Sequence, residues 1–79
     1  MKKRETLYLE LGEKITVLRK RKGMTRKELA KKAGISYFTL GYYERGEFKP
    51  PFFVMELIAA ALDVSLDDLS TLVRPGGTR

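Results

Sequence analysis

Three observations on this 79-residue chain predict an all-α fold of five short helices. Apolar residues recur at intervals of three and four, the spacing that lines one face of a helix, and no alternating strand pattern competes with them. Thr25 with Glu28 and Ser65 with Asp68 are capping boxes, in which each partner satisfies an amide that a helix start leaves open. Gly23, Gly34 and Gly46 punctuate the pattern where helices should stop.

The first helix is expected over residues 5–21, with Leu7, Leu11, Ile15 and Leu18 in one stripe and Gly23 as its stop. Thr25 opens the second, which shows only Leu29, Ala30 and Ala33 to a core before Gly34 ends it. Ser36 caps the third. Its apolar positions, Leu40 and Tyr43, leave Tyr37, Phe38, Gly41, Tyr42 and Arg45 on the other side, and Gly46 closes it. Lys49-Pro50-Pro51 is an extended break, because each proline restricts the residue before it.

The fourth helix is expected over residues 52–62. On a helical wheel Phe52, Met55, Ile58, Ala59 and Leu62 form its core face, and Phe53, Leu57 and Ala60 make a second stripe nearly opposite. A helix apolar on two faces asks for a second surface to bury. A last helix runs from the Ser65 cap to about residue 73. The expected organisation is one domain over residues 1–73 and a flexible tail over 74–79.

Composition removes whole classes of function. Cysteine is absent, so disulfides and thiolate metal sites are excluded, and a reducing cytosol suits the chain. Histidine is absent as well, which takes away the commonest general base and metal ligand. An enzyme is not expected, nor is a cofactor or a metal. The charge-free apolar runs are broken by Glu56 and Asp63, too short to span a bilayer. A cytoplasmic location is expected. Charge is lopsided: residues 1–50 carry 14 Lys and Arg against 6 Asp and Glu, while residues 51–79 carry 2 against 4. A basic face of this kind favours a polyanion, although Lys-rich helices also serve solubility alone.

Residues 26–45 join two short helices through a glycine-containing turn of three to four residues, the arrangement of a helix-turn-helix. Ala30 stands at the crossing, where a small residue is needed, and Ile35 follows the turn as a core plug. The runs Leu11-Gly12-Glu13-Lys14-Ile15, Leu18-Arg19 and Gly23-Met24-Thr25-Arg26-Lys27-Glu28-Leu29-Ala30 resemble the lambda-repressor/Cro-like (XRE) family. Gly34-Ile35-Ser36, Tyr43-Glu44-Arg45-Gly46, Pro50, Ile58-Ala59, Ala61-Leu62 and Val64-Ser65-Leu66-Asp67-Asp68-Leu69 continue the likeness over about residues 11–70. It implies a compact five-helix DNA-binding domain, dimeric on DNA, typical of bacterial or phage transcription regulators.

By position, the resemblance makes Tyr37, Phe38, Thr39, Gly41 and Tyr42 the base readers, on a helix lying in the major groove. Here the chain departs from the family, which often has Gln, Arg, Asn or Ser there, because it contains neither Asn nor Gln. Bidentate adenine contacts are therefore excluded. Apolar contacts to thymine methyls and hydroxyl hydrogen bonds remain, while a bidentate guanine contact needs Arg or Lys. Arg26, Ser36 at its helix start, Arg45 and Lys49 match phosphate-gripping positions. Arg19 and Glu44 match a structural ion pair that fixes the reading helix. Dimers in the family often form through C-terminal helices, which assigns Phe53, Leu57 and Ala60 to a homodimer interface, helped by Leu72 or Val73. The expected function is a transcriptional regulator binding a palindromic operator in double-stranded DNA, with a protein co-regulator as one means of control. The alternative is a protein-interaction module, antitoxin-like or adaptor, using the same aromatic helix.

Overall fold

The computed structural model describes residues 3–70, and the side chains of residues 8–69. Among the described residues it contains α1 (Lys3–Arg21), α2 (Arg26–Ala33), α3 (Tyr37–Glu44), α4 (Phe52–Leu62) and α5 (Leu66–Ser70), and no strand. Helix α1 begins two residues before the expected start. The expected extension of the last helix to residue 73, the tail, and the side chains of Leu7, Leu72 and Val73 lie outside the described residues.

The caps act as their residue types require. Thr25 Oγ1 accepts from the Glu28 amide at 3.0 Å while Glu28 accepts from the Thr25 amide at 2.8 Å. Ser65 and Asp68 make the same exchange at 3.0 and 3.2 Å. Gly34 closes α2 at φ 78°, in the left-handed region that a Cβ disfavours. Its amide donates to the Ala30 and Lys31 carbonyls. Asp63 ends α4 the same way, at φ 60°, without glycine's exemption from strain.

One core joins the five helices. Leu11, Ile15 and Leu18 of α1 meet Leu29, Ala30 and Ala33 of α2, Leu40 of α3, Met55, Ile58, Ala59, Ala61 and Leu62 of α4, and Leu69 of α5. Ile35 and Tyr43 pack against its margin. Ala30 is buried at the close α2–α3 contact, as a small side chain must be there. Helix α1 crosses α3 still more tightly. A Cβ on Gly12 would stand 2.4 Å from the Tyr43 carbonyl oxygen and 2.5 Å from that of Glu44, so glycine lets two helix backbones touch.

Two expectations for α4 are corrected. Phe52, assigned to the core, is 63% exposed. It is the first helical residue, and side chains lean toward a helix N-terminus, so its ring projects beyond the core rather than into it. Leu57, assigned with Phe53 and Ala60 to an outer stripe, is half-buried and packs against the core. Phe53 and Ala60 are exposed. No helix among the described residues is long and apolar enough to cross a membrane.

Candidate nucleic-acid interface

Helix α3 has two faces of different chemistry. Leu40 and Glu44 point inward and are buried, whereas Tyr37, Phe38 and Tyr42 stand exposed on the outside. The helix starts at Ser36, whose Oγ accepts from the Thr39 amide at 2.9 Å and donates to Thr39 Oγ1 at 2.9 Å. Thr39, an expected base reader, is thus half-buried with its hydroxyl turned to the cap.

Glu44 fixes the inner face. Its side chain is only 2% exposed and accepts from Arg19 Nε at 2.7 Å and Arg19 Nη2 at 3.2 Å. The third nitrogen of Arg19 donates to the Met24 carbonyl at 2.9 Å, tying the α1–α2 loop into the same pair. A buried carboxylate is tolerated where its lone pairs are satisfied. Among the described residues no buried side-chain polar atom lacks a partner.

A second arginine shares this carboxylate. Arg26 Nε donates to Glu44 Oε1 at 3.1 Å, with its guanidinium carbon 5.7 Å from the centre of the Tyr37 ring. Arg26, expected only as a phosphate grip, is therefore also a strut between α2 and α3, with 31% of its side chain exposed. A sequence distance of 18 positions from Glu44 hides this link from any local pattern. Between the helices an open groove of about 590 Å³ is lined by Thr25, Arg26, Lys27, Tyr37 and Phe38. Its walls are aromatic on the α3 side and basic on the α2 side.

At the far end of α3, Arg45 Nε donates to Glu47 Oε2 at 2.9 Å, and the guanidinium lies 5.3 Å from the Tyr42 ring centre. The hydrogen bond to Glu47 holds its pKa above the ordinary arginine value, with the nearby carboxylate charge acting in the same sense. Phe48 meets Tyr42 edge-on at 5.4 Å, as Phe38 meets Tyr37 at 5.4 Å. Lys49 is exposed in the loop that follows. Glu47 and Phe48 escaped the sequence reading because nothing in their spacing separates them from ordinary loop residues.

Gly41, expected among the base readers, is buried. A Cβ there would meet Arg45 Nη1 at 3.0 Å and Arg26 Nη1 at 3.5 Å. Two guanidinium heads converge over it, so the glycine is covered by the protein's own side chains and presents no surface to a partner.

The described residues hold no cluster of carboxylates, histidines and cysteines fit for a metal ion. What they present is a cationic, aromatic ridge whose two arginines are held by Glu44 and Glu47, suited to a polyanion with stacked, methyl-bearing edges.

Comparison with known proteins agrees with this chemistry. A family model described as helix-turn-helix matches residues 15–69. Over 45 residues the chain is 44% identical to Repressor protein C of Escherichia phage P2, a match covering 57% of this chain and 46% of the repressor. The chain thus spans about half the length of that relative. Over 59 residues it is 39% identical to the uncharacterized HTH-type transcriptional regulator YazB of Bacillus subtilis (strain 168), covering 75% of this chain and 86% of YazB. The crystal structure of the restriction-modification controller protein C.AhdI from Aeromonas hydrophila superposes with a TM-score of 0.77 at 27% identity, covering 78% of this chain and 94% of that one. The helix pair and its caps fall within the matched residues, and the chain belongs to the Cro/repressor-like helix-turn-helix family of DNA-binding transcriptional regulators, which are not enzymes.

Proposed function

We propose that this chain regulates transcription in the cytoplasm as a homodimer on a palindromic operator, with α3 in the major groove. The observation that carries the reading is the division of α3: its inner side is clamped by Glu44 while Tyr37, Phe38 and Tyr42 stand exposed outside. A helix held rigidly from behind can present side chains to base edges in one fixed register.

In this reading Tyr37, Phe38 and Tyr42 touch thymine methyls and base-edge acceptors. Thr39 serves the helix cap. Arg26, Lys49 and the amides at the Ser36 helix start bind phosphate and set the register. Phe53 and Ala60 lie on the outer side of α4 and form the two-fold contact, with Leu57 behind them. A self-complementary contact is the commonest way for a soluble chain to pair. It would set two reading helices about 34–36 Å apart, on half-sites roughly 10 base pairs apart.

The test is selection from a randomised duplex library, followed by binding against salt. An enriched palindrome is expected, with affinity falling steeply as counterions are released. Lys49→Ala should weaken binding alike on all sequences and flatten the salt slope by about one unit. Tyr37→Ala should cost roughly 1–3 kcal/mol on the selected site and little on random DNA. Phe38, 72% exposed, favours one rival, a protein partner on the same helix. That rival requires no enriched sequence and only weak binding to DNA, alike on all duplexes.

A further inference from the structure

The outer face of α3 poses a chemical difficulty, because reading a purine edge with two hydrogen bonds takes an amide, a guanidinium or an ammonium. The chain has no Asn or Gln, and Tyr37, Phe38 and Tyr42 carry at most one polar atom each. Yet the middle of that face holds two guanidinium heads. The absent side chain of Gly41 makes their seat: a Cβ there would be 3.0 Å from Arg45 Nη1 and 3.5 Å from Arg26 Nη1.

The two arginines are held differently. Arg26 is tied by its Nε to the buried Glu44 carboxylate, and 31% of its side chain is exposed. Arg45 is nearly half exposed, at 47%, and pairs with Glu47, itself 49% exposed. Glu47 takes the Nε–H, which leaves the two terminal amino groups of Arg45 as an end-on fork. Tyr42 lies against the guanidinium on the other side, at 5.3 Å. A carboxylate, an aromatic ring and a glycine seat thus orient a planar donor pair at the centre of the exposed face rather than at its rim. Phosphates flank a helix in the groove, whereas its centre faces base edges.

Resting on the operator reading above, we propose that Arg45 is a specificity-determining residue that reads guanine, its terminal amino groups donating to O6 and N7. Glu47 and Tyr42 are its positioning residues, and Gly41 is retained to keep the seat open. Sequence position set Arg45 beside Lys49 as a phosphate grip; its place over Gly41 gives it this other role.

The experiment repeats the randomised-duplex selection with the parent protein, Arg45→Ala, Arg45→Lys and Gly41→Ala, each first checked for its helical spectrum. The parent should enrich one guanine per half-site. Arg45→Ala should lose that preference by roughly 10- to 100-fold at this position alone. Arg45→Lys keeps the charge but not the fork, so it should keep the salt slope and lose most of the preference. Gly41→Ala leaves Arg45 in the chain and only pushes its head aside, so it should lose the preference too. Replacing the selected guanine by 7-deazaguanine removes the N7 acceptor. It should weaken the parent about 10-fold and leave Arg45→Ala unmoved. If Arg45→Ala enriches the parent's sequence and loses affinity equally on all DNA, Arg45 grips phosphate and the inference fails. If the parent enriches no sequence at all, the operator reading itself fails, and the role of Arg45 with it.

Discussion

Gly12 and Gly41 are both buried glycines inside helices, and the same substitution should act on them with opposite sign. At Gly12 a new Cβ would meet backbone, 2.4 Å from the Tyr43 carbonyl oxygen. Reaching an ordinary contact of 3.4 Å requires α1 and α3 to part by about 1 Å. A gap of that size forfeits roughly a quarter to a half of the dispersion energy along the contact. It also strains the Arg19–Glu44 hydrogen bond, now 2.7 Å, toward a length at which it no longer counts. Overpacking of this kind costs about 1–3 kcal/mol, and damage to a buried ion pair adds to it. The gain in helix propensity returns about 1 kcal/mol. We expect Gly12→Ala to lose about 2–4 kcal/mol net, out of the roughly 4–12 typical of a chain this size. With a urea slope of about 1 kcal/mol/M, the midpoint should fall by about 2 M or more. At Gly41 the new Cβ meets only a flexible arginine tip, so Gly41→Ala should keep the parent midpoint or exceed it by up to about 1 kcal/mol. Paired urea titrations followed by circular dichroism decide it. A Gly12→Ala protein as stable as the parent would refute the backbone contact and the reasoning built on it.

Glu44→Ala strands Arg19 in a nearly closed site and should cost about 3–5 kcal/mol, measured by the same titration. Arg26→Ala removes a partner that is one-third exposed, and should cost no more than about 1 kcal/mol. Asp63→Gly relieves a left-handed residue at the end of α4 and should raise stability by roughly 1 kcal/mol, read as a higher melting temperature. Phe53→Glu should leave a folded monomer with weakened operator binding, whereas Leu57→Glu should unfold, because Leu57 rests partly on the core. Sedimentation velocity with a spectrum of each variant separates the two; an unchanged dimer in Phe53→Glu would move the interface elsewhere.

The helices and their caps could be read along the chain because their determinants are local. Thr25 finds Glu28 three residues away, and Gly34 needs no partner to adopt its φ. Helix α4 was harder. Nine of its first ten residues are apolar, Glu56 being the exception, so the wheel gives two candidate faces and little to choose between them. Its placement is decided by the helices it packs on, and Phe52 and Leu57 were exchanged in consequence. The site was legible where family position carries geometry, as for the Arg19–Glu44 pair now seen at 2.7 Å. It was illegible where three elements meet. The Arg26 strut, the Gly12 crossing and the two arginine heads over Gly41 exist only once α1, α2 and α3 are folded together.

The two-faced construction of α3 makes the molecule divisible. Tyr37, Phe38 and Tyr42 share a backbone with Leu40 and Glu44 but have different neighbours, so the outer set can be rewritten while the inner set continues to hold the fold. Arg26 is the exception, since one guanidinium touches both the buried carboxylate and the Tyr37 ring. A new binding preference grafted onto this scaffold would therefore be free at position 38, and constrained at 37 and 42 to side chains that an arginine can rest against.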